Sequence, residues 1–270
     1  MLRIITNCGP AEQYIARCLA SVRSQSFVDW RAYVTIDPCG DKTYEQAVLA
    51  REGDARIHIH RNGERQFPMV NLMSAIRRSR AGREDIVVVL DGDDWLATPD
   101  ALRIIHDVYK QSNCWMTYGS WVSDQSPMQG KWPAYPEGLT DFRNYEWRGT
   151  AVRTWKRWLW DLIDDRDFRD AEGNYFRVTE DKAVMLPMLE MSGTRKAKHI
   201  QEVLMVYNRL SPDACCYTRR DEMLANSEYI TTLHPYSPLV KKPDSENTAL
   251  SIRSQRAKCP GYSLALRDSL

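Results

Sequence analysis

The sequence predicts an α/β fold, a mostly parallel sheet flanked by helices, and three observations carry that prediction. Short apolar or alternating runs (LRIIT, RAYVTI, RIHIH, DIVVVL) take turns with amphipathic segments over roughly the first 110 residues, the pattern of a doubly wound parallel sheet. One run, VVVLDGDDWL at residues 87–96, leads from four apolar residues straight into Asp91, Asp93 and Asp94. The polar residues that close the runs, Thr6-Asn7, Asp37 and Asp91–Asp94, all fall at predicted strand carboxyl ends, which is where ligands of such sheets lie.

Each element has its own signal. LRIIT (2–6) is a strand broken by NCGP, and Pro10 suits the first turn of a helix that carries Tyr14, Ile15, Cys18, Leu19 and Val22 at helical spacing. RAYVTI (31–36) is a second strand ending at Asp37-Pro38, and TYEQAVLAR a short helix. RIHIH alternates like a strand with one exposed face, and PMVNLMSAIRRSR is an amphipathic helix. DIVVVL is the continuous apolar run expected of a central parallel strand. Thr98-Pro99-Asp100 supplies an N-cap and a proline for a helix running to about Gln111.

The rest is less regular. CWMTYGSWV (114–122) reads as a strand. Residues 124–146, rich in Pro, Gly, Tyr and Trp, read as a long functional loop. TAVRTWKRWLWDLI (150–163) is predicted helical, with Val152, Trp155, Leu159 and Leu162 on one face. TEDKAVMLPMLEM is predicted to be a helix kinked at Pro187, and VLMVY a late strand. The polar last 35 or so residues are expected to pack loosely or to order on binding. No internal repeat is visible.

Composition narrows the function classes. With 270 residues, 43% hydrophobic and 27% charged, the chain is an ordinary globular one, and its net charge of +1 advertises no nucleic-acid or anionic-membrane partner. MLRIITNCGP has neither an apolar core nor a small-residue cleavage site, so no secretory signal is expected, and no apolar run is long enough to span a membrane. Seven scattered cysteines, Cys215 and Cys216 adjacent among them, predict reduced, mostly buried thiols, a cytoplasmic setting and no zinc site.

The motifs then exclude and suggest chemistry. No G-x-G-x-x-G follows the first strand, and neither a GxxxxGK[ST] loop nor a G-x-S-x-G elbow occurs. Asp91-x-Asp93 instead places two carboxylates on alternate residues just past a strand, the hard oxygen ligands that divalent cations take together with substrate phosphates. A solvated Asp-Gly turn is the plain alternative.

Four elements taken in order, IITN, TIDPCGD, VLDGDDW and TEDKAVML, with VYN following, resemble family 2 glycosyltransferases of the GT-A (Rossmann-like) fold over roughly residues 2–210. The resemblance implies a nucleotide-sugar-binding half (1–123), an acceptor-binding and catalytic half with added helices (124–235), and a basic tail (236–270). It implies Mn2+ or Mg2+ and a nucleotide-diphosphate sugar, a UDP-sugar favoured, as donor. Thr6, Asn7 and Asp37 would contact base and ribose, Asn71 and Asp91 the donor or the metal's water shell, Asp93 would be the principal metal ligand and Asp94 a supporting one. Asp181 would be the general base of an inverting transfer, with Glu180 the competing carboxylate. Two departures stand out: Pro38 and Cys39 follow Asp37 where the family often has a second Asp and Gly-Ser, and Val70 precedes Asn71 where an Arg is frequent.

The implied acceptor is a saccharide, a lipid-linked sugar or a protein. Hydroxylated bases in DNA, as in a phage-infected cell, are a minority alternative raised by Lys241, Lys242, Arg253, Arg256 and Lys258 in the tail. Trp147, Trp155, Trp158 and Trp160 among Arg148, Arg153, Lys156 and Arg157 read as core packing with snorkelling cations, or as an acceptor platform. Arg77, Arg78, Arg80 and Arg83 read as a solvated helix end, and His199 as structural rather than a late metal ligand. An Asp-x-Asp phosphatase is disfavoured because Trp95 stands where that chemistry normally has Thr. A silent sugar-nucleotide-binding module is the remaining alternative.

Overall fold

The computed structural model describes residues 1–124, 129–130, 132–209 and 215–244. In chain order the elements are β1 (Leu2–Cys8), α1 (Ile15–Arg23), β2 (Trp30–Ile36), α2 (Thr43–Ala50), β3 (Ile57–Arg61), α3 (Phe67–Ser79), β4 (Ile86–Val89), β5 (Trp95–Leu96), α4 (Ala101–Ser112), β6 (Met116–Ser123), β7 (Gln129–Gly130), β8 (Arg153–Lys156), α5 (Arg157–Trp160), α6 (Glu180–Lys196), β9 (Ala197–Tyr207), α7 (Cys215–Thr218) and α8 (Arg220–Thr232). One sheet runs β3-β2-β1-β4-β8-β6-β9-β5, with β7 added to β6. The pairs β1–β2, β1–β4, β2–β3 and β6–β9 are parallel; β8 lies antiparallel between β4 and β6.

Successive side chains on a strand face opposite sides of the sheet, and both sides are buried here. Ile4, Val34 and Val88 join α1 and α4 in one core cluster, while Ile5, Val87 and Val89 join α3 and α6 in the other. That explains why β4 reads as an unbroken apolar run. Because β1, β2 and β4 are parallel, their carboxyl ends open on one edge, where Asn7, Asp37 and Asp91 emerge.

Three expectations need correction. Residues 150–163 are not one helix: Arg153–Lys156 form β8, and only Arg157–Trp160 are α-helical. β8 is covered on both faces (Thr154 0% and Trp155 1% exposed), so neither a two-residue nor a 3.6-residue period marks it. α6 runs through Pro187, and its non-helical backbone is at Gly193 instead (φ 55°, ψ 174°). Residues 236–244 are not loose. Tyr236 is buried, its N–H donates to Glu190 Oε2 at 2.9 Å and its hydroxyl accepts from Asp164 N at 2.8 Å, and Leu239 N donates to Met191 O at 2.9 Å. Glu190 is in turn held by both arms of Arg143, at 2.6 and 2.9 Å, so the segment is strapped to α6. Arg253, Arg256, Lys258 and Cys259, and the side chains of Cys215 and Cys216, lie outside what is described.

Cys8, Cys18, Cys39 and Cys114 are free thiols, the first two and the last buried. Burial pushes the Cys8 and Cys18 thiols well up. No described helix is long and apolar enough to cross a membrane.

Candidate active site

A cleft of about 430 Å³ opens at the carboxyl edge of β1, β2 and β4. Asn7, Asp37, Asn71, Asp91, Asp93, Asp94, Glu180 and Asp181 all line it. Thr6 does not: its side chain is fully buried (0% exposed), beneath Asn7 on the other face of the strand.

The acidic loop crosses directly over the end of β1. Gly92 N donates to Asn7 O at 2.9 Å, and a Cβ added at Gly92 would stand 2.1 Å from Cys8 Sγ. Glycine is therefore needed between Asp91 and Asp93 for close backbone approach, not for a loose turn. Trp95 is a core plug rather than a cleft wall: it is 6% exposed, pairs with Val206 across β5 and β9, and carries the Arg17 guanidinium 3.6 Å above its ring.

Asp37 is 4% exposed and both its oxygens are engaged. Oδ1 accepts from Asn62 Nδ2 (2.8 Å) and Gln66 N (3.1 Å), and Oδ2 from Phe67 N (2.9 Å). Asn62 Nδ2 also donates to Asn71 Oδ1 at 2.7 Å. Asp37 thus fixes the turn that enters α3 and sets Asn71 in the cleft wall. The turn carries backbone strain at Phe67 (φ 64°), a conformation bulky residues avoid.

The buried charge that was not singled out from the sequence as part of this site is Arg153; Arg65, Trp121 and Tyr207 also line the cleft without having been singled out. Antiparallel pairing sets Arg153 opposite Val89, beside the exit of β4. Its Nη2 lies 3.2 Å from Asp91 Oδ2 and its Nη1 3.7 Å from Glu180 Oε1. Although burial works against it, Asp91, Asp181 and Glu180 hold the guanidinium above its ordinary pKa. A strand reading of TAVRT would have pointed it at the acidic loop.

Among the described residues Arg153 is the buried cation of a cleft that holds five carboxylates, and it acts on four of them, Asp91, Asp181, Glu180 and Asp94. Burial, then Asp91's charge, pushes Asp93 up to about 7. Burial also raises Asp91, with Arg153 opposing, and raises Asp94 well above the carboxylate range, with Asp93 and Asp91 adding to it. Glu180 rises to about 7 through burial, with Arg153 opposing and Asp181 and Asp91 reinforcing. Asp94 is 1% exposed and its Oδ1 accepts from Asn208 N at 2.8 Å, tying the loop to the chain after β9. Asp181 lies half-buried in the first turn of α6, its Oδ1 accepting from Lys182 N at 2.7 Å.

The donor set fits a divalent cation held jointly with a ligand. Asp93 is a desolvated carboxylate with no ion pair among the described residues, and hard oxygen suits Mn2+ or Mg2+. No group of three or more His, Cys, Asp or Glu among the described residues forms a cage, so phosphate and water would complete the coordination. His199 is not part of this wall; its ring sits 5.2 Å from that of Tyr118. Nor do Arg77, Arg78, Arg80 and Arg83 line it. Trp155, Trp158 and Trp160 are buried, Trp160 stacked between Trp155 and Phe168 and Trp158 meeting Trp115 edge-on, which makes them core and removes the acceptor platform built on them. The aromatic wall is instead Trp121 and Tyr207, with ring centroids 5.1 Å apart.

The site thus joins a mostly parallel sheet, a DxD loop, Asp37 just past β2 and a carboxylate pair opening α6. The model of "Glycosyl transferase family 2" matches residues 4–168. The chain belongs to that family. It is a nucleotide-sugar-dependent glycosyltransferase with the GT-A fold. Among solved structures, a mannosyltransferase from Pyrobaculum calidifontis in complex with GDP-Man and Mn2+ is 16% identical, with 100% of this chain and 76% of that one covered and a TM-score of 0.62. S. aureus TarS 1–349 in complex with UDP-GlcNAc is 12% identical, with 95% and 72% covered and a TM-score of 0.60. Glucosyl-3-phosphoglycerate synthase from Mycobacterium tuberculosis, in complex with Mn2+, UDP-glucose and phosphoglyceric acid, is 12% identical, with 92% and 90% covered and a TM-score of 0.53. At these identities the likeness is one of fold. The comparison with curated proteins gave no match.

Proposed function

We propose that this glycosyltransferase moves a sugar from a nucleoside-diphosphate sugar, a UDP-sugar favoured, to an acceptor hydroxyl with inversion at the anomeric carbon. The observation that carries this reading is the convergence of Asn7, Asp37, Asn71, Asp91 and Asp93 with Asp181 on one cleft. The first five belong to residues 1–123, the donor half, and Asp181 to residues 124–235, the acceptor half. Asn7 and Asn71 offer neutral donors and acceptors for base and ribose, and Asp37 shapes that pocket.

Asp181 is the base in this reading. Glu180 lies against Arg153, its Oε1 3.7 Å from Nη1, so its carboxylate is engaged with the guanidinium, while Asp181 has no ion pair among the described residues. Asp181 sits where the α6 macrodipole favours a carboxylate. It takes the proton of the acceptor hydroxyl while that oxygen forms its bond to the anomeric carbon and the bond to the diphosphate oxygen breaks on the opposite face. When bound at Asp93, with Asp91 beside it, a divalent cation would supply neutralisation of the departing diphosphate. Arg153 holds Asp91 in place. The acceptor is a saccharide, a lipid-linked sugar or a protein, and the free buried thiols accord with a reducing, cytoplasmic setting.

Asp181→Asn tests the assignment. Transfer to acceptor should fall by about 10²–10⁴-fold, with donor affinity retained in a thermal-shift titration of UDP-sugars with Mn2+. Near-normal transfer by the variant would move the base to Glu180.

A further inference from the structure

A second cavity, about 600 Å³, adjoins the acidic cleft, sharing Pro10 and Arg65 with it. Its chemistry is opposite in sign. Three guanidinium groups from three chain segments surround the Phe67 ring, with Arg65, Arg219 and Arg177 at 4.7, 4.9 and 5.6 Å from its centroid. Arg220 lines the same cavity. Glu222 alone pairs with any of the three among the described residues, meeting Arg177 Nε at 3.0 Å and Arg219 Nη1 at 2.7 Å. Arg65, Arg219 and Arg220 against Asp221 and Glu222 leave an excess of positive charge on a concave, solvent-open surface, and Arg177 joins them across the Phe67 ring at its border with the cleft. Like charges gathered on one ring repel, and a bound anion would offset that repulsion.

We propose that this cavity binds a phosphate group of the acceptor, so that the sugar is transferred to a phosphorylated acceptor. The inference rests on the transfer reading above and extends it to the acceptor's chemistry. Two features put the anion on the acceptor side. Arg177 lies three residues before Glu180, and Met223, next to Glu222, lines the cleft with Asp181. The donor contacts, by contrast, emerge from the ends of β1, β2 and β4. The acidic cleft would repel an anionic acceptor, and a neighbouring cationic cavity lets its phosphate dock while a separate hydroxyl reaches Asp181. Forked, planar guanidinium groups suit phosphate oxygens.

Isothermal titration of glycerol 3-phosphate, with glycerol as control, into the full chain saturated with UDP and Mg2+ decides the matter. Glycerol 3-phosphate should bind, glycerol should not, and Arg177→Gln/Arg219→Gln should weaken binding at least tenfold while UDP affinity stays within twofold. Glu222→Gln, which frees two arginines from their carboxylate, should tighten binding roughly threefold, a gain that misfolding cannot produce. Absence of binding to the UDP-loaded protein, or no response to either variant, overturns the proposal. Loss of UDP together with glycerol 3-phosphate also overturns it, assigning these arginines to the donor diphosphate. A chain that binds glycerol 3-phosphate through them but never UDP would sink the UDP-sugar reading and leave the phosphate site standing.

Discussion

Replacing Arg153 by methionine removes the buried cation that the described residues bring to the acidic cleft and keeps most of its volume. At an effective dielectric of about 20, charges 3.2 and 3.7 Å apart attract by roughly 5 and 4 kcal/mol. Desolvating the guanidinium offsets several kcal/mol of that, and the Asp91 side chain, 35% exposed, is partly screened by water. Breaking a buried pair from one side leaves a net loss of about 3–5 kcal/mol. The loss depends on pH in a definite sense. Glu180 has a folded-state pKa raised to about 7, so below that value it is already largely protonated and loses little when Arg153 goes. Above it, the variant strands a carboxylate. Urea unfolding of the apo chain should therefore show the full loss at pH 8 and about half of it at pH 6. Adding Glu180→Gln should recover part of the pH 8 loss, since that variant has no stranded Glu180 charge. A loss under 1 kcal/mol at both pH values, or a larger one at pH 6, would refute the charge-balancing role of Arg153.

Three further outcomes follow from the same geometry. Gly92→Ala should destabilise by about 1–3 kcal/mol in thermal or urea unfolding, because its Cβ would meet Cys8 Sγ; Cys8→Ala in the same chain should recover part of this. Asp94→Asn keeps an oxygen for Asn208 N and should leave stability within about 1 kcal/mol and the Mn2+ requirement of transfer unchanged, whereas Asp94→Ala should cost about 1–3 kcal/mol; a strong rise in the Mn2+ requirement of Asp94→Asn would make it a ligand. Trp158→Ala, in a fully packed site, should cost about 3–5 kcal/mol without a selective rise in acceptor KM.

The donor side of the site was legible because its signals are local. A strand that ends in Asp91-Gly92-Asp93, or a helix that opens on Glu180-Asp181, can be read from neighbours in sequence. What depends on pairing between distant segments was not. Arg153 belongs to the site only because β8 runs antiparallel to β4, and TAVRTWKRWLWDLI mimics a helical stripe because strand and helix meet at Lys156 with both buried. The arginines around Phe67, Arg65, Arg177 and Arg219, come from three separate segments, and no spacing rule links them. Asp37 illustrates a subtler limit: its place at a strand end is plain in the sequence, but not that three donors from residues 62–67 already engage its oxygens.

The charge imbalance of the cleft bears on how donor and cation bind. A diphosphate brings further negative charge to a site where Arg153 already faces Asp91, Asp94, Glu180 and Asp181 and where Asp93 has no cation beside it among the described residues, so the donor alone is repelled. A cation alone finds Asp93 and its neighbours but no protein cage, so it should be held weakly. Bound together, each supplies what the other lacks. Linkage then requires that the cation raise UDP affinity by the same factor that UDP raises cation affinity. A factor of about 5–150 is the ordinary range of such coupling, and burial of Asp93 places this site toward its upper part. Titrating UDP into the chain in EDTA and in saturating Mn2+, and Mn2+ with and without UDP, closes the cycle. Matching factors above about tenfold are expected. A UDP affinity that changes less than twofold on removing the cation would mean that Arg153 and the arginines around Phe67 neutralise the diphosphate unaided, and Asp93→Asn would then leave donor affinity unharmed.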